Sequence, residues 1–213
     1  MLQIRLNRLK YNRERNKITN CENKILNLFN NGFLRNKDLV DNNIPSVYLT
    51  RLVNNNVIER VSRGLYVRTN SLPDDLVILQ NKSKNAIYSN MTSLYLYGFS
   101  DRLPIKYDIT VNSGYNGSLQ DVDNVNLFYT KKELLNLGEF VYRLDSGNLI
   151  KVYDLERTIC DVIKNKNRLD QELANKALRK YFYSKEKNTL KLYEYAKKMK
   201  IYKKVRSVFE ILG

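Results

Sequence analysis

The spacing of apolar residues predicts a helix before residue 32. Its apolar face consists of Ile25, Leu26, Leu28 and Phe29. Thr19 or Asn20 can accept a hydrogen bond from the first turn, so either can cap the N-terminus. Gly32 is expected to end the helix, because glycine adopts the left-handed backbone that often follows a last turn. We expect this helix to support the two shorter helices that follow it.

Two short amphipathic segments come next, joined by a turn. Asn36 is expected to cap the first of them, which runs through Leu39. Asn42 and Asn43 suit a tight turn, since asparagine tolerates left-handed backbone better than most residues. Pro45 suits the first position of the second helix, where its missing N–H is not needed. The second helix has a core-facing stripe formed by Ile44, Leu49, Leu52 and Val53.

A second face of that helix is mostly polar and carries one cation. Its positions follow the helical spacing and comprise Val47, Thr50, Arg51 and Asn54, with Ser46 beside them at the start. A helix that lies in the major groove of DNA needs such a face, because base edges are recognised by polar side chains and by small apolar contacts. We therefore predict that Thr50, Arg51 and Asn54 contact bases or the nearby backbone.

A two-stranded ribbon follows directly. Residues 57–61 and 65–68 are rich in β-branched and aromatic side chains, and a Ser-Arg-Gly turn separates them. The ribbon carries Arg60, Arg63 and Arg68, three guanidiniums that suit phosphates beside a groove. With Asn36 and Lys37 of the preceding helix, they complete the predicted DNA-binding set.

The order of helix, turn, helix and ribbon predicts a winged helix-turn-helix domain over residues 1–70. The alternative interpretation is a small helical subdomain with a hairpin that binds another protein. Residues 69–73 form a plausible linker, and we place the domain boundary there.

The rest of the chain alternates between helical and strand patterns. Helices are predicted to start at Asp74 and to span 89–98, and strands are predicted at 107–111, 125–129, 141–144 and 149–153. From Asp154 onward the pattern is helical, with further segments at 170–183, 189–199 and 203–212. The sequence therefore predicts an α+β fold, in which residues 71–213 form a mixed α/β domain that ends in a helical region.

Charge is unevenly distributed along the chain. The net charge is +15: residues 1–70 carry 13 Lys and Arg against 5 Asp and Glu, residues 71–163 carry 9 against 12, and residues 164–213 carry 15 against 5. Polyanions are natural partners of the two basic blocks. Residues 1–17 are interpreted as an arm on DNA or as a solvated tail. The tyrosines and lysines of the last helices suit either RNA binding by stacking or packing of rings in a core.

Several classes of function lose support from the composition. The chain has no histidine, so histidine triads, bases and metal ligands are excluded. Cys21 and Cys160 form no metal motif, and we expect both thiols to be buried. No apolar run approaches the length of a membrane span and no signal-peptide pattern appears at Met1, so we expect a cytoplasmic protein without cofactor, metal or catalytic activity. A nuclease or transferase that uses carboxylates is the remaining enzymatic alternative, with Asp101, Asp108, Asp154, Glu156 or Asp161.

A compact charged motif begins the helical region. Asp154 is placed to cap a helix, Glu156 lies in its first turn, and Arg157 and Asp161 are spaced to pair on one face. This arrangement favours a structural role for all four residues. The alternative is a role towards a partner protein or a nucleotide.

Three segments in order resemble the AbiEi family, the antitoxins of AbiE-type (type IV) toxin–antitoxin systems. They are Ile58–Tyr66, Ala86–Arg102 and Lys151–Asp161, the last containing YDLERTICD. The resemblance implies a winged helix that represses its own operon by binding inverted repeats in the promoter. It also implies a C-terminal domain that neutralises a nucleotidyltransferase-like toxin of the AbiEii class, directly or functionally, in abortive defence against phage. We expect a monomer or a weak dimer, since either can occupy inverted repeats.

Overall fold

The computed structural model describes residues 19–102 and 104–212, and these residues form helices and two β-sheets. Contacts divide them into two units. The first contains residues 19–81 together with Asp145–Asn148, and the second contains the remainder of the described chain. The basic segment 1–17, predicted as an arm or a tail, lies outside the described residues. The expected boundary near residue 70 stays a prediction about where the chain divides into domains.

The first unit has four helices and a three-stranded sheet. Its elements are α1 (Asn20–Asn27), β1 (Phe33–Arg35), α2 (Asn36–Asp41), α3 (Val47–Asn54), β2 (Ile58–Ser62), β3 (Leu65–Arg68) and α4 (Asp75–Asn81). The strands are antiparallel in the order β1-β3-β2. Leu34, Leu49 and Leu52 are among the buried residues of one core, to which both the helices and the sheet contribute.

Helix α1 begins as predicted and ends earlier than predicted. Thr19 Oγ1 accepts a hydrogen bond from the Glu22 backbone N–H, and Glu22 Oε2 accepts one from Thr19 N–H at 2.6 Å. The prediction that Gly32 ends this helix is wrong, because the helix stops at Asn27. Gly32 has a φ of +84° and lies in the turn that leads into β1.

The turn between α2 and α3 contains left-handed asparagine, as predicted. Asn43 has a φ of +53°. The predicted helix starts need correction. Extended Arg35 precedes α2, and its N–H donates to Asp38 Oδ2 at 2.7 Å, so Asn36 is the first helical residue and not the cap. Helix α3 begins at Val47, two residues after Pro45. Ser46 occupies the N-cap position, and its backbone angles are already helical.

The predicted ribbon is present as β2 and β3, with Gly64 at a φ of +69° in its turn. Strand β1 pairs with β3 and was not predicted. Three residues are too few to show the alternation that identifies a strand in a sequence.

The second unit contains a five-stranded mixed sheet. Its strands are β4 (Ile87–Tyr88), β5 (Tyr107–Asn112), β6 (Val125–Thr130), β7 (Glu139–Arg143) and β8 (Leu149–Tyr153), in the order β6-β5-β4-β8-β7. The pairs β5–β6 and β4–β8 are parallel, and the others are antiparallel. The four predicted strands are confirmed, while two-residue β4 went unpredicted.

The helices of the second unit lie where the sequence pattern predicts them, except for the four-residue helix Lys132–Leu135, which was not predicted. They are α5 (Asn90–Leu96), α6 (Lys132–Leu135), α7 (Leu155–Lys164), α8 (Gln171–Tyr183), α9 (Thr189–Lys198) and α10 (Tyr202–Leu212). Asp154, Asp170 and Asn188 accept N-capping hydrogen bonds from the first turns of α7, α8 and α9.

Aromatic rings pack between the last helices. Tyr181 is fully buried and meets Phe209 edge to face at 6.3 Å, and Tyr193 lies against Tyr202 at 5.4 Å. These contacts favour core packing over nucleic-acid stacking for these rings. Across the residues that the structure describes, no helix has the length and apolarity to span a membrane.

Candidate nucleic-acid interface

Helix α3 presents the predicted polar face to solvent. Val47 is 52% exposed, and the other predicted positions are exposed as well: Ser46, Thr50, Arg51 and Asn54. On the opposite face, Leu49 and Leu52 are 3% and 1% exposed. The helix is therefore held by its apolar stripe, which leaves the polar face free of the core of its own unit.

Tyr48 ties α3 to α1 beside this face. A hydrogen bond with Cys21 raises the pKa of the Tyr48 hydroxyl. The Arg51 guanidinium carbon lies 5.4 Å from the centre of the Tyr48 ring, close enough for a cation–π contact. Cys21 is only partly buried, which corrects the expectation that both thiols are buried, and Cys160 is fully buried.

The start of α2 and the turn of the hairpin lie together. The Asn36 N–H donates to the Gly64 carbonyl at 3.0 Å, and the Asn36 side chain lies against Gly64. Lys37, which follows Asn36, and Arg63, which precedes Gly64, are both exposed. Asn81 Nδ2 donates to the Arg63 carbonyl at 3.1 Å, so α4 braces the hairpin. Nothing in the sequence pattern indicates this hydrogen bond, because Asn81 and Arg63 are 18 positions apart.

The two remaining arginines of the predicted set differ in their contacts. Arg60 is exposed, and its Nε makes a long 3.4 Å hydrogen bond to the Ser62 carbonyl. Arg68 Nη2 donates to the Leu26 carbonyl at 2.8 Å, and its guanidinium lies over the Phe29 ring at 5.2 Å. Arg68 thus joins β3 to the end of α1, whereas the Arg60 hydrogen bond stays within β2.

In the second unit, Arg157 is completely buried. Its Nε pairs with Asp161 Oδ2 at 3.0 Å, its Nη1 donates to the carbonyls of Leu134 and Leu137 at 2.7 Å each, and its guanidinium carbon lies 4.2 Å from the Tyr153 ring centre. Burial raises the pKa of Asp161, and the Arg157 charge opposes that rise. These contacts favour the structural alternative for this pair.

Asp154 and Glu156 share a cation that the sequence does not point to. Lys191 Nζ lies 3.0 Å from Asp154 Oδ2 and 3.5 Å from Glu156 Oε2. Tyr195 donates its hydroxyl proton to Asp154 at 2.9 Å, and Tyr181 donates to Glu156 at 3.2 Å. Burial and the Asp154 charge raise the pKa of Tyr195 to about 12.

Gly138 completes the surroundings of Arg157. Its φ is +78°, and a Cβ there would lie 2.6 Å from Arg157 Cβ. Its carbonyl also accepts a hydrogen bond from the Asp154 N–H at 2.7 Å. The chain can pass this point only as glycine, since a side chain would meet both backbone strain and steric overlap.

The carboxylates of the enzymatic alternative do not form a metal centre. Asp101 is exposed and pairs with Lys176, whereas Asp108 is 2% exposed on β5. Among the residues that the structure describes, no three acidic or thiol side chains lie close enough together to hold a metal ion.

Comparison with known proteins supports the N-terminal assignment. Residues 23–69 match the model of a family described as "Transcriptional regulator, AbiEi antitoxin". The chain matches no curated protein. It is similar in fold to the crystal structure of the RV2827C protein from Mycobacterium tuberculosis, with a TM-score of 0.59, 10% identity, and coverage of 85% of this chain and 72% of that chain. The family match over residues 23–69 confirms the resemblance to AbiEi antitoxin transcriptional regulators that the sequence motifs indicate.

Proposed function

We propose that the first unit is a winged helix-turn-helix that binds duplex DNA and regulates transcription of its own operon. The observation that carries this proposal is the solvent-exposed polar face of α3. The family match at residues 23–69 covers this helix and the β2–β3 hairpin, which follows α3 directly along the chain.

In this proposal, α3 enters the major groove and the hairpin follows the backbone. Thr50, Arg51 and Asn54 face the bases, with Val47 available for a thymine methyl group. Lys37, Arg60 and Arg63 contact phosphates, helped by the side chains of Asn36 and Ser46. Arg68 holds β3 against α1 and contributes mainly by keeping the hairpin in place.

Binding to the chain's own upstream DNA tests this proposal. In competition gel shifts against a scrambled duplex, Arg51→Ala should lose about 1–3 kcal/mol of preference for the upstream sequence, because one base contact is removed. Arg179→Ala is the matched control, since Arg179 is an exposed arginine of the second unit. Equal affinity of the unaltered protein for both duplexes would contradict the proposal and would favour a winged element that binds protein.

We further propose that residues 71–213 serve as the antitoxin domain, acting against a nucleotidyltransferase-like toxin of the AbiEii class. The family match and the resemblance of segments Ala86–Arg102 and Lys151–Asp161 support this assignment. The two duties are separable in this proposal, because the exposed set on α3 and the charged motif of α7 lie in different units.

Co-expression with a neighbouring toxin gene tests the separation. Arg51→Ala should relieve repression of an operon reporter while growth rescue by the full-length protein persists. Loss of rescue by Arg51→Ala, at unchanged protein level, would show that neutralisation depends on DNA binding and would contradict separate duties.

A further inference from the structure

A cavity of about 420 Å³ opens in the second unit beside the N-terminal end of β5. It lies between the sheet, the loop that precedes β5 and the beginning of α8. Its volume falls in the range of about 300–1,000 Å³ that small-molecule sites occupy. No part of the proposed DNA contact involves this cavity, so its role can be argued independently.

The base of the cavity is a buried hydrogen-bond acceptor. Asp108 is 2% exposed, its Oδ2 accepts from the Met91 N–H at 3.0 Å, and its Oδ1 accepts from Asn126 Nδ2 at 3.1 Å. A carboxylate offers about four acceptor positions, so two remain for a ligand. The base of the cavity therefore favours a ligand group that donates hydrogen bonds.

The rim of the cavity carries the opposite charge. Arg102, Lys106 and Arg168 are all exposed there, against one exposed acidic residue in the lining, Asp170, whose Oδ1 accepts a hydrogen bond from the Leu173 N–H at 3.0 Å. No acidic side chain of the described residues forms an ion pair with any of the three cations. Arg168 is held in place by its Nη2 bond to the Leu127 carbonyl at 3.1 Å and by the Phe128 ring, 4.3 Å from its guanidinium carbon. A guanidinium held in this way at an open rim suits a phosphate.

The walls between base and rim are apolar. Ile105 is 98% exposed at the mouth, and Leu173 and Met91 line the sides. A ligand must thus present an anion at one end, a flat or apolar body in the middle and hydrogen-bond donors at the other end. A fatty acid satisfies only the first two conditions, and a bare sugar phosphate lacks the middle one.

We propose that this cavity binds a nucleoside phosphate, with the phosphate on Arg102, Lys106 and Arg168 and the donor groups of the base on Asp108. Guanine fits this description because its N1–H and N2–H₂ groups can both donate to one carboxylate. The apolar walls would pack against the two faces of the ring.

Calorimetric titration of the full-length protein tests the site, with guanosine 5′-monophosphate, ribose 5-phosphate and inorganic phosphate as probes. The nucleotide should bind at least about tenfold more tightly than either smaller anion. Equal affinities would overturn the nucleoside assignment, and no detectable nucleotide binding would overturn the site.

Variants distinguish the two ends of the ligand. Lys106→Ala should weaken the binding of nucleotide and phosphate alike, whereas Asp108→Asn should weaken the binding of the nucleotide only. Ile105 lies on the surface, so Ile105→Ser should remove a nucleotide contact without destabilising the fold. This variant tests the site even if Asp108→Asn lowers the unfolding temperature.

A matched control separates this site from the proposed DNA-binding face. Arg51→Ala should leave nucleotide affinity unchanged, because Arg51 lies in the other unit. A loss of nucleotide binding in Arg51→Ala, with binding intact in Lys106→Ala, would show that the nucleotide occupies the DNA-binding face and would overturn the proposal.

Discussion

Two arginines of this chain, Arg51 and Arg157, show how differently the two units use the same side chain. Arg51 is exposed on α3, where its guanidinium lies over the neighbouring Tyr48 ring. Arg157 is fully buried and contacts Asp161, two backbone carbonyls and the Tyr153 ring. In sequence, the charged motif around Arg157 stands out more. In the structure, its charges are largely used in holding the second unit together, while the less conspicuous Arg51 is free to meet a partner.

The largest expected effect comes from breaking the buried pair. Arg157→Ala should lower the free energy of unfolding by about 3–5 kcal/mol, because Asp161 is left charged and unpaired in the core. Urea unfolding measures this loss. The double variant Arg157→Met/Asp161→Leu is the control and should recover the part of the loss that comes from the unpaired Asp161 carboxylate, while the Leu134 and Leu137 carbonyls still lose their donor. Wild-type stability of Arg157→Ala combined with failed toxin neutralisation would instead identify Arg157 as a contact for the toxin.

A second test uses the buried Asp108. Burial raises the pKa of Asp108 from 3.8 to about 6, against the hydrogen bonds from Asn126 and Met91 and the charge of Arg168. The folded state therefore holds this proton more tightly than the unfolded state, and stability due to Asp108 is lost as pH rises from about 4 through 6.

The loss should amount to about 2–3 kcal/mol relative to Asp108→Asn, which cannot titrate. Urea unfolding of both proteins at pH 4 and pH 7 measures the difference. Parallel pH profiles for the two proteins would show that Asp108 is not desolvated as its burial indicates.

A pair of glycines sharpens the account of the Arg157 environment. Gly138 and Gly114 both have positive φ angles, but a Cβ at Gly138 would overlap Arg157 and one at Gly114 meets open space. Gly138→Ala should therefore cost about 1–3 kcal/mol more than Gly114→Ala in chemical denaturation, since only the first adds steric overlap to backbone strain. Equal costs would mean that Arg157 has room to move.

The smallest expected effect is on the exposed side of the comparison. Arg63→Ala should weaken binding to upstream and scrambled DNA about equally and reduce the slope of log K against log salt by about 0.9, the share of one phosphate contact. Arg179→Ala again provides the control. An unchanged slope for Arg63→Ala would remove the hairpin turn from the proposed interface.

Sequence patterns anticipated the elements whose signals are local. Thr19 and Asp154 cap their helices, and Asn43 has the left-handed backbone that was expected, because each depends on neighbours within a few residues. The exposure of the polar face of α3 follows from helical spacing in the same way. Strands β1 and β4 contain too few residues to show a period, and neither was predicted.

Contacts between distant residues could not be anticipated. Lys191 meets Asp154 across 37 positions, and Arg68 meets the Leu26 carbonyl across 42 positions. The sequence therefore suggested Arg68 for phosphate, whereas the structure gives its guanidinium a partner inside the first unit. The prediction that Gly32 ends α1 was wrong because glycine after a helical pattern serves equally well as a helix end and as a turn before a strand.

Hydrogen exchange on the full-length protein, with and without its own upstream DNA, compares the two units in one measurement. Exchange should slow in residues 46–54 and 60–64, where bound DNA covers α3 and the hairpin, and should stay unchanged in residues 154–164, whose charges are already paired within the unit. Slowed exchange at residues 154–164 with α3 unaffected would contradict the account and would place the nucleic-acid contact in the second unit.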